Sequence, residues 1–195
     1  MTTVSVPSPV RVTTAELPAL VGRVLGHSAW HTVTQAHVNA FGAATHDMQW
    51  IHTDLARAKN GPYGRTIAHG YLTLLLATAL IAQTLDVTNA DLIVNYGIDR
   101  VRFPAPLPVG AHVRAQVTLA EVRAVDGGAQ AWLHLAYEVR GTHKPCCVAD
   151  VLLHYYSQAS SAARRNQPRG GVQRGRADRF GVGPGSRSAR AHRSG

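Results

Sequence analysis

Cysteine is nearly absent from these 195 residues: two occur, Cys146 and Cys147, and they are neighbours. Adjacent side chains of a strand point to opposite faces, so the two cannot readily bridge each other. That argues against a disulfide-stapled secreted domain and for a reducing compartment, the cytoplasm. The first 18 residues are polar and rich in Thr and Pro, without the charged-then-apolar pattern of a signal peptide. No long run is purely apolar either. The longest candidate, Ile67 to Leu85, would extend about 28 Å as a helix at about 1.5 Å per residue. It carries His69, Gly70, Thr73, Thr78 and Gln83, and alternating strands follow it. It reads as the buried central helix of a globular domain, with no membrane partner.

The net charge of +9 suggests an anionic partner until it is divided along the chain. Up to Ser157 there are 11 Lys+Arg against 10 Asp+Glu, and the remaining nine Arg face only Asp178. The basic character therefore belongs to residues 158–195, an Arg/Gly/Ser/Ala-rich tail with almost no apolar periodicity, which is expected to be disordered. The rest offers no basic stripe, so nucleic acid is not an expected partner. Residues 1–21 read as a leader segment, with Leu17, Leu20 and Val21 forming one helical turn, and residues 22–157 as the folded domain.

Within that domain, Gly22 to Val33 has a mixed β pattern and reads as the first strand. Thr34 is placed to cap a short helix over Gln35 to Ala44, whose buried face carries Val38, Phe41 and Thr45. Leu55 to Lys59 forms a further turn before Asn60-Gly61-Pro62 breaks it. After the central helix, Asp91 to Phe103 alternates with a phase shift near Gly97 that predicts a bulge. Pro104, Pro106 and Pro108 make an extended connector. Three strands with clean alternation follow, carrying Val113 to Leu119, Leu133 to Val139 and Cys147 to Tyr155; Asp126-Gly127-Gly128 makes the hairpin turn between the first two. This is an α+β layout, an antiparallel sheet wrapped around one long central helix.

The chemistry concentrates between Phe41 and Leu85. Asp47 and His52 lie five residues apart across a short turn at Met48-Gln49-Trp50, and Ile67-Ala68-His69-Gly70 leads into the central helix. The first amides of any helix lack internal partners, so this helix start can face an oxygen that gains charge. Asp47-x-x-x-x-His52-x-Asp54, the Gly61 to Gly64 segment and Ile67-Ala68-His69-Gly70 together resemble the hydratase motif of the MaoC-like dehydratases, the (R)-specific enoyl-CoA hydratases of the hot-dog fold. Asn95-Tyr96-Gly97 and Arg100-Val101-Arg102-Phe103-Pro104-Ala105-Pro106 extend the resemblance, which covers roughly Val24 to Tyr156.

The resemblance implies a single hot-dog domain working as a homodimer on an acyl-CoA thioester. It implies addition of water to a trans-2-enoyl thioester to give the (R)-3-hydroxyacyl product, or the reverse. Asp47 and His52 match the family's catalytic pair and Gly70 the position whose N–H receives the thioester oxygen. Thr78, further along the helix, is a candidate to orient Asp47, and Arg100 and Arg102 are candidates to meet the phosphates of coenzyme A. His69 reads as structural, a ring near the helix start bonded to backbone. No cofactor is expected. His46, Asp47, His52, Asp54 and His69 offer zinc-type donors, but their spacing matches no helical pair at i and i+4, so no metal is expected.

One departure stands out: the family commonly has glycine immediately before its aspartate, and this chain has His46. If that position requires positive φ, His is disfavoured there. An acyl-CoA thioesterase and a non-catalytic acyl-thioester binding protein are the competing readings. The Asp47 and His52 spacing argues against the first, and His46 keeps the second open.

Overall fold

In chain order the elements are β1 (Val10–Val12), a 3₁₀ turn at Leu17–Leu20, β2 (Val24–His27), β3 (His31–Thr32), α1 (Gln35–Thr45), α2 (Trp50–Thr53) and α3 (Leu55–Lys59). There follow α4 (Gly70–Leu75), α5 (Ala77–Ile81), β4 (Leu85–Val87), β5 (Leu92–Arg102), β6 (His112–Val125), β7 (Gly128–Val139) and β8 (Cys147–Tyr156). This computed structural model describes residues 8–157. The Arg-rich tail expected over residues 158–195, and residues 1–7 of the expected leader, lie outside the described residues.

Side-chain alternation builds the main sheet, in the order β2-β6-β7-β8-β5 with β3 also on β6 and every pairing antiparallel. One face carries Val113, Ala115, Val117 and Leu119 on β6 with Leu133, Leu135 and Tyr137 on β7, all fully buried. Ala149, Val151 and Leu153 of β8 continue it, and Leu74, Ala77, Leu80 and Ile81 pack onto it from the helices. At about 25 cal/mol per Å² of apolar surface, this layer is the main stabilising term of the domain. The Tyr137 hydroxyl donates to the Leu74 carbonyl (3.0 Å), tying helix to sheet.

The central helix is shorter than the apolar run predicts. Its start is delayed because Ile67 N–H donates to Ile51 O and Ala68 N–H to Leu107 O, which keeps both residues extended. A tight turn at Leu76, whose N–H reaches Thr73 O, separates α4 from α5. Thr84 then ends the helix by donating both its N–H and its hydroxyl to Ile81 O. Leu85 already belongs to β4, which pairs in parallel with β1.

The expected first strand is likewise divided. Ser28 leaves the ladder to bond Ala115 through backbone and hydroxyl, so β2 and β3 flank a break. The residues read as a leader are packed from Val10 onward, and Leu17 is wholly buried. The bulge expected near Gly97 is present as a register shift between Asn95 and Gly97, and a second follows between Asp99 and Arg102. Arg100, inside that second shift, has φ 50°. Cys146 and Cys147 are unbridged and buried. Among the described residues, no helix is long and apolar enough to cross a membrane.

Candidate active site

Thr34 caps α1 as its sequence suggests, accepting from His37 N–H (3.2 Å) while His37 Nδ1 accepts from Thr34 N–H. The helix ends at His46 in the left-handed conformation, φ 60° and ψ 17°. Glycine is the usual residue at such a helix end, and His carries a Cβ penalty there. The turn at His46 brings Asp47 back towards the start of α2 and α4. Asp47 is half-buried, and its Oδ1 accepts from Gln49 Nε2 (3.2 Å).

His52 lies on α2, one short helical turn, and is buried. Its Nδ1 meets Ile67 O at 2.8 Å. A carbonyl only accepts, so Nδ1 carries the proton and Nε2 of the neutral ring is a bare lone pair. Burial holds this imidazole below the ordinary value of 6.5, and nearby His69 adds to that, while the Ile67 bond and Asp47 oppose it. Gln35 fixes the same residue from behind. Its Nε2 donates to His52 O (2.7 Å) and its Oε1 accepts from the Thr66 hydroxyl (2.7 Å).

His69 caps α4 and is buried. Its Nε2 donates to the main-chain oxygen of Asp47 (2.9 Å), and its ring stacks on that of His52 with centroids 3.8 Å apart and planes at 27°. The structural reading of this residue as a ring bonded to backbone is therefore met. One donor atom each from Asp47, His52 and His69 lies within 4.8 Å of the others, a set suited in composition to a divalent metal. Each ring spends one nitrogen on a carbonyl and keeps the other bare.

His52, Thr73 and Gly70 line a cavity of about 390 Å³, closed by Ile67, Ala68, Tyr63 and the segment from Phe103 to Leu107. A Cβ on Gly70 would stand 3.1 Å from the Phe103 ring, so a larger residue there would have to push that ring aside to leave the start of α4 open to this space. The structure thus brings His52 and Gly70 to one cavity, with Asp47 beside His52 but outside the cavity lining.

The remaining candidates lie elsewhere. Thr78 is exposed and does not reach Asp47; it lines a second cavity of about 180 Å³ with Leu74, Ala77, Asn95 and Val151. About two turns of helix, broken by the bend at Leu76, separate it from Gly70, whereas buried Thr73 lies beside Gly70 and bonds back to His69 O (3.2 Å). Arg100 is bound to the buried carboxylate of Asp150, which His134 Nδ1 also holds (2.7 Å). Burial pushes that carboxyl up, but the bonds from His134 and Arg100 outweigh it and hold it below its usual range. Arg102 is exposed and donates to the neighbouring Val101 carbonyl (2.7 Å). Gln35, Thr73 and Phe103 are the site residues that sequence reasoning passed over. A lone Gln at a helix start carries no signal of the bond it makes 17 residues away.

The sequence model of the MaoC-like domain matches residues 16–132. The chain is 47% identical over 142 residues to 3-hydroxyacyl-thioester dehydratase Z of Mycobacterium tuberculosis, covering 72% of this chain and 94% of that protein. It is 42% identical over 109 residues to nodulation protein N of Rhizobium leguminosarum bv. viciae, covering 55% of this chain and 68% of that protein. Its backbone resembles the (R)-hydratase from A. caviae involved in PHA biosynthesis, with TM-score 0.57 and 23% identity over 68% of this chain and 96% of that one. The same comparison fixes the fold as the hot-dog of these hydratases. With the family's domain matched over more than half its length and a relative aligned almost end to end, this chain belongs to the MaoC-like dehydratases.

Proposed function

We propose that the protein catalyses the reversible hydration of a trans-2-enoyl thioester to the (R)-3-hydroxyacyl thioester, with coenzyme A as carrier. The observation that carries this reading is that His52, with its bare Nε2, and the start of α4 at Gly70 line one cavity, while a carboxylate oxygen of Asp47 lies within 4.8 Å of a ring nitrogen of His52. The name of the M. tuberculosis relative, a 3-hydroxyacyl-thioester dehydratase, supports the same chemistry.

In the hydration direction a water held between the Asp47 carboxylate and His52 Nε2 adds its oxygen to the β carbon. Its proton passes to this pair as the carbon–oxygen bond forms. The π electrons move towards the thioester oxygen, which accepts from Gly70 N–H, and an early-helix dipole favours the developing charge. A proton is then returned to the α carbon, and dehydration retraces these steps. A His52 that stays neutral near pH 7 is the form able to take the proton.

Three cavities lie along one stripe of the central helix, touching first Gly70 and Thr73, then Leu74, Ala77 and Thr78, then Thr78, Ile81 and Ala82. The stripe gives an acyl chain an apolar course away from the site. We also infer a homodimer. Leu92, Ile93, Tyr96 and Ile98 on edge strand β5, with Tyr71 and Leu75 on α4, leave large apolar side chains in water, and an edge strand is a ready template for pairing. The unbridged buried cysteines favour a cytoplasmic setting.

The test is incubation of the purified protein with crotonyl-CoA while following the conjugated enoyl absorbance, with chiral analysis of the product. Loss of absorbance with the (R)-3-hydroxy product is expected. Release of free thiol without loss of the double bond would replace this reading with thioester hydrolysis.

A further inference from the structure

His52 is clamped by Gln35 and Ile67, whereas Asp47 has few contacts of its own, and His69 touches both residues. Asp47 follows a left-handed residue and makes one side-chain bond, to Gln49, which is exposed. Left to itself, such a segment would sample several arrangements. The Thr53 hydroxyl holds the next two carbonyls, Met48 O and Gln49 O, and at Asp47 itself the restraint is the Nε2–H of His69, which donates to its main-chain oxygen at 2.9 Å across 22 residues of sequence. The same ring lies against His52 at 3.8 Å, and Phe41 closes its surroundings at 5.0 Å. His69 does not itself line the cavity that His52 and Gly70 share, so it backs the pair from the protein side.

The tautomers follow from the partners. Both imidazoles donate to a carbonyl, His52 through Nδ1 and His69 through Nε2, so each ring keeps one lone pair. That of His69, on Nδ1, is buried and finds no partner among the described residues. A buried polar atom without a partner carries a penalty that an apolar ring of similar size would avoid. Phenylalanine would fill the same space between His52 and Phe41 and keep the stack, but it would leave the Asp47 oxygen unbound. The penalty is explained if the Nε2–H is what the site requires.

We propose, on the hydratase reading above, that His69 is a positioning residue. It fixes the main chain of Asp47 by one hydrogen bond and sets the plane of the His52 ring by stacking, so that the carboxylate and the bare Nε2 address the same water. It touches no reacting atom. The titratable groups that meet His52 are Asp47, from the loop after α1, and His69 itself, from the start of α4. Of these, His69 opposes a positive charge on His52 and Asp47 favours one. Removing the His69 ring therefore raises the pH at which His52 takes its proton, and the acid limb of the rate moves to higher pH.

Two measurements test this. The first needs no substrate: ring ¹⁵N shifts of the wild-type protein near neutral pH are expected to show the proton on Nε2 of His69 and on Nδ1 of His52. The opposite tautomer at His69 would remove the bond to Asp47 and overturn the proposal. The second compares His69→Gln, which keeps a donor at the reach of Nε2, with His69→Phe, which keeps the ring. Misplacement of a catalytic group costs about 100-fold, so kcat of His69→Phe is expected to fall by about that factor, with KM little changed. His69→Gln should recover at least about tenfold of the loss, with its acid limb displaced upward. Equal rates in the two variants, or a limb that does not move in His69→Gln, would overturn the proposal even where both unfold as cooperatively as the wild type. If the wild type does not hydrate crotonyl-CoA, the functional reading falls, and the ring shifts still decide whether His69 holds Asp47.

Discussion

The side-chain amide of Gln35 donates to the main-chain carbonyl of His52 at 2.7 Å, although 17 residues separate them. Its own oxygen accepts from Thr66, and Ile67 donates to Ile51, so α1, α2 and the segment leading into α4 form one clamped unit around His52. Gln35→Leu keeps the volume and removes both of its bonds to this unit, together with one to Asn39 Oδ1 within α1. The rate constant kcat should fall about tenfold to 100-fold while KM stays nearly constant, because the clamp orients a reacting group and does not bind substrate. A change confined to KM would show that the clamp serves substrate binding.

If Asp47 and His52 act on one water, Asp47→Asn and His52→Ala should each lower the hydration rate by about 10²–10⁴-fold. The double variant should be little slower than the worse single one, because groups acting as a unit are not additive. Binding of a saturated acyl-CoA, followed by calorimetry, should survive both changes. Additive losses would mean that the two residues serve separate steps.

His46 gives a stability prediction with a kinetic control. In the left-handed region an L residue loses roughly 1–2 kcal/mol, which glycine does not. His46→Gly should therefore raise the denaturant midpoint, with a gain of about 1 kcal/mol once the extra freedom of glycine in the unfolded chain is deducted. Activity should be retained, since φ 60° remains accessible. A lower midpoint would show that the His46 side chain contributes more than its backbone costs.

The apolar edge makes a claim about assembly. Tyr96 is 64% exposed on β5 and Leu75 61% exposed on α4. Tyr96→Glu, which places a charge in that face, should convert a dimer into monomers in sedimentation velocity at micromolar concentration. A wild-type protein already monomeric under those conditions would remove the basis for the homodimer.

The sheet was legible because its faces alternate strictly: Val113, Ala115, Val117 and Leu119 are the buried set that period two demands. The shift at Gly97 was legible for the same reason, as a break in that period. The central helix was not, because apolar periodicity cannot register that Thr84 will capture the Ile81 carbonyl or that Ala68 will spend its N–H on Leu107. Thr78 was assigned to the site by helical spacing alone, and the bend at Leu76 falls between it and Gly70. Asp47, His52 and Gly70 were named through their motif. Gln35, which acts on a main-chain oxygen, leaves no mark in spacing, whereas His69 stands inside the motif and its bond to backbone is expected from there.

Cys146 and Cys147 carry a practical consequence. Burial, helped for Cys146 by its neighbour, pushes both thiols up to about 12, so almost no thiolate exists at neutral pH and neither sulfur reaches solvent in the folded chain. The thiolate is the reactive species, so alkylating reagents and mild oxidants should pass the native protein by. They should modify it only when the β8 region opens. Two silent thiols at the start of β8, Cys146 against the candidate cavity and Cys147 at the first position of the strand, therefore make a built-in clock for unfolding, readable by mass spectrometry without any label being introduced.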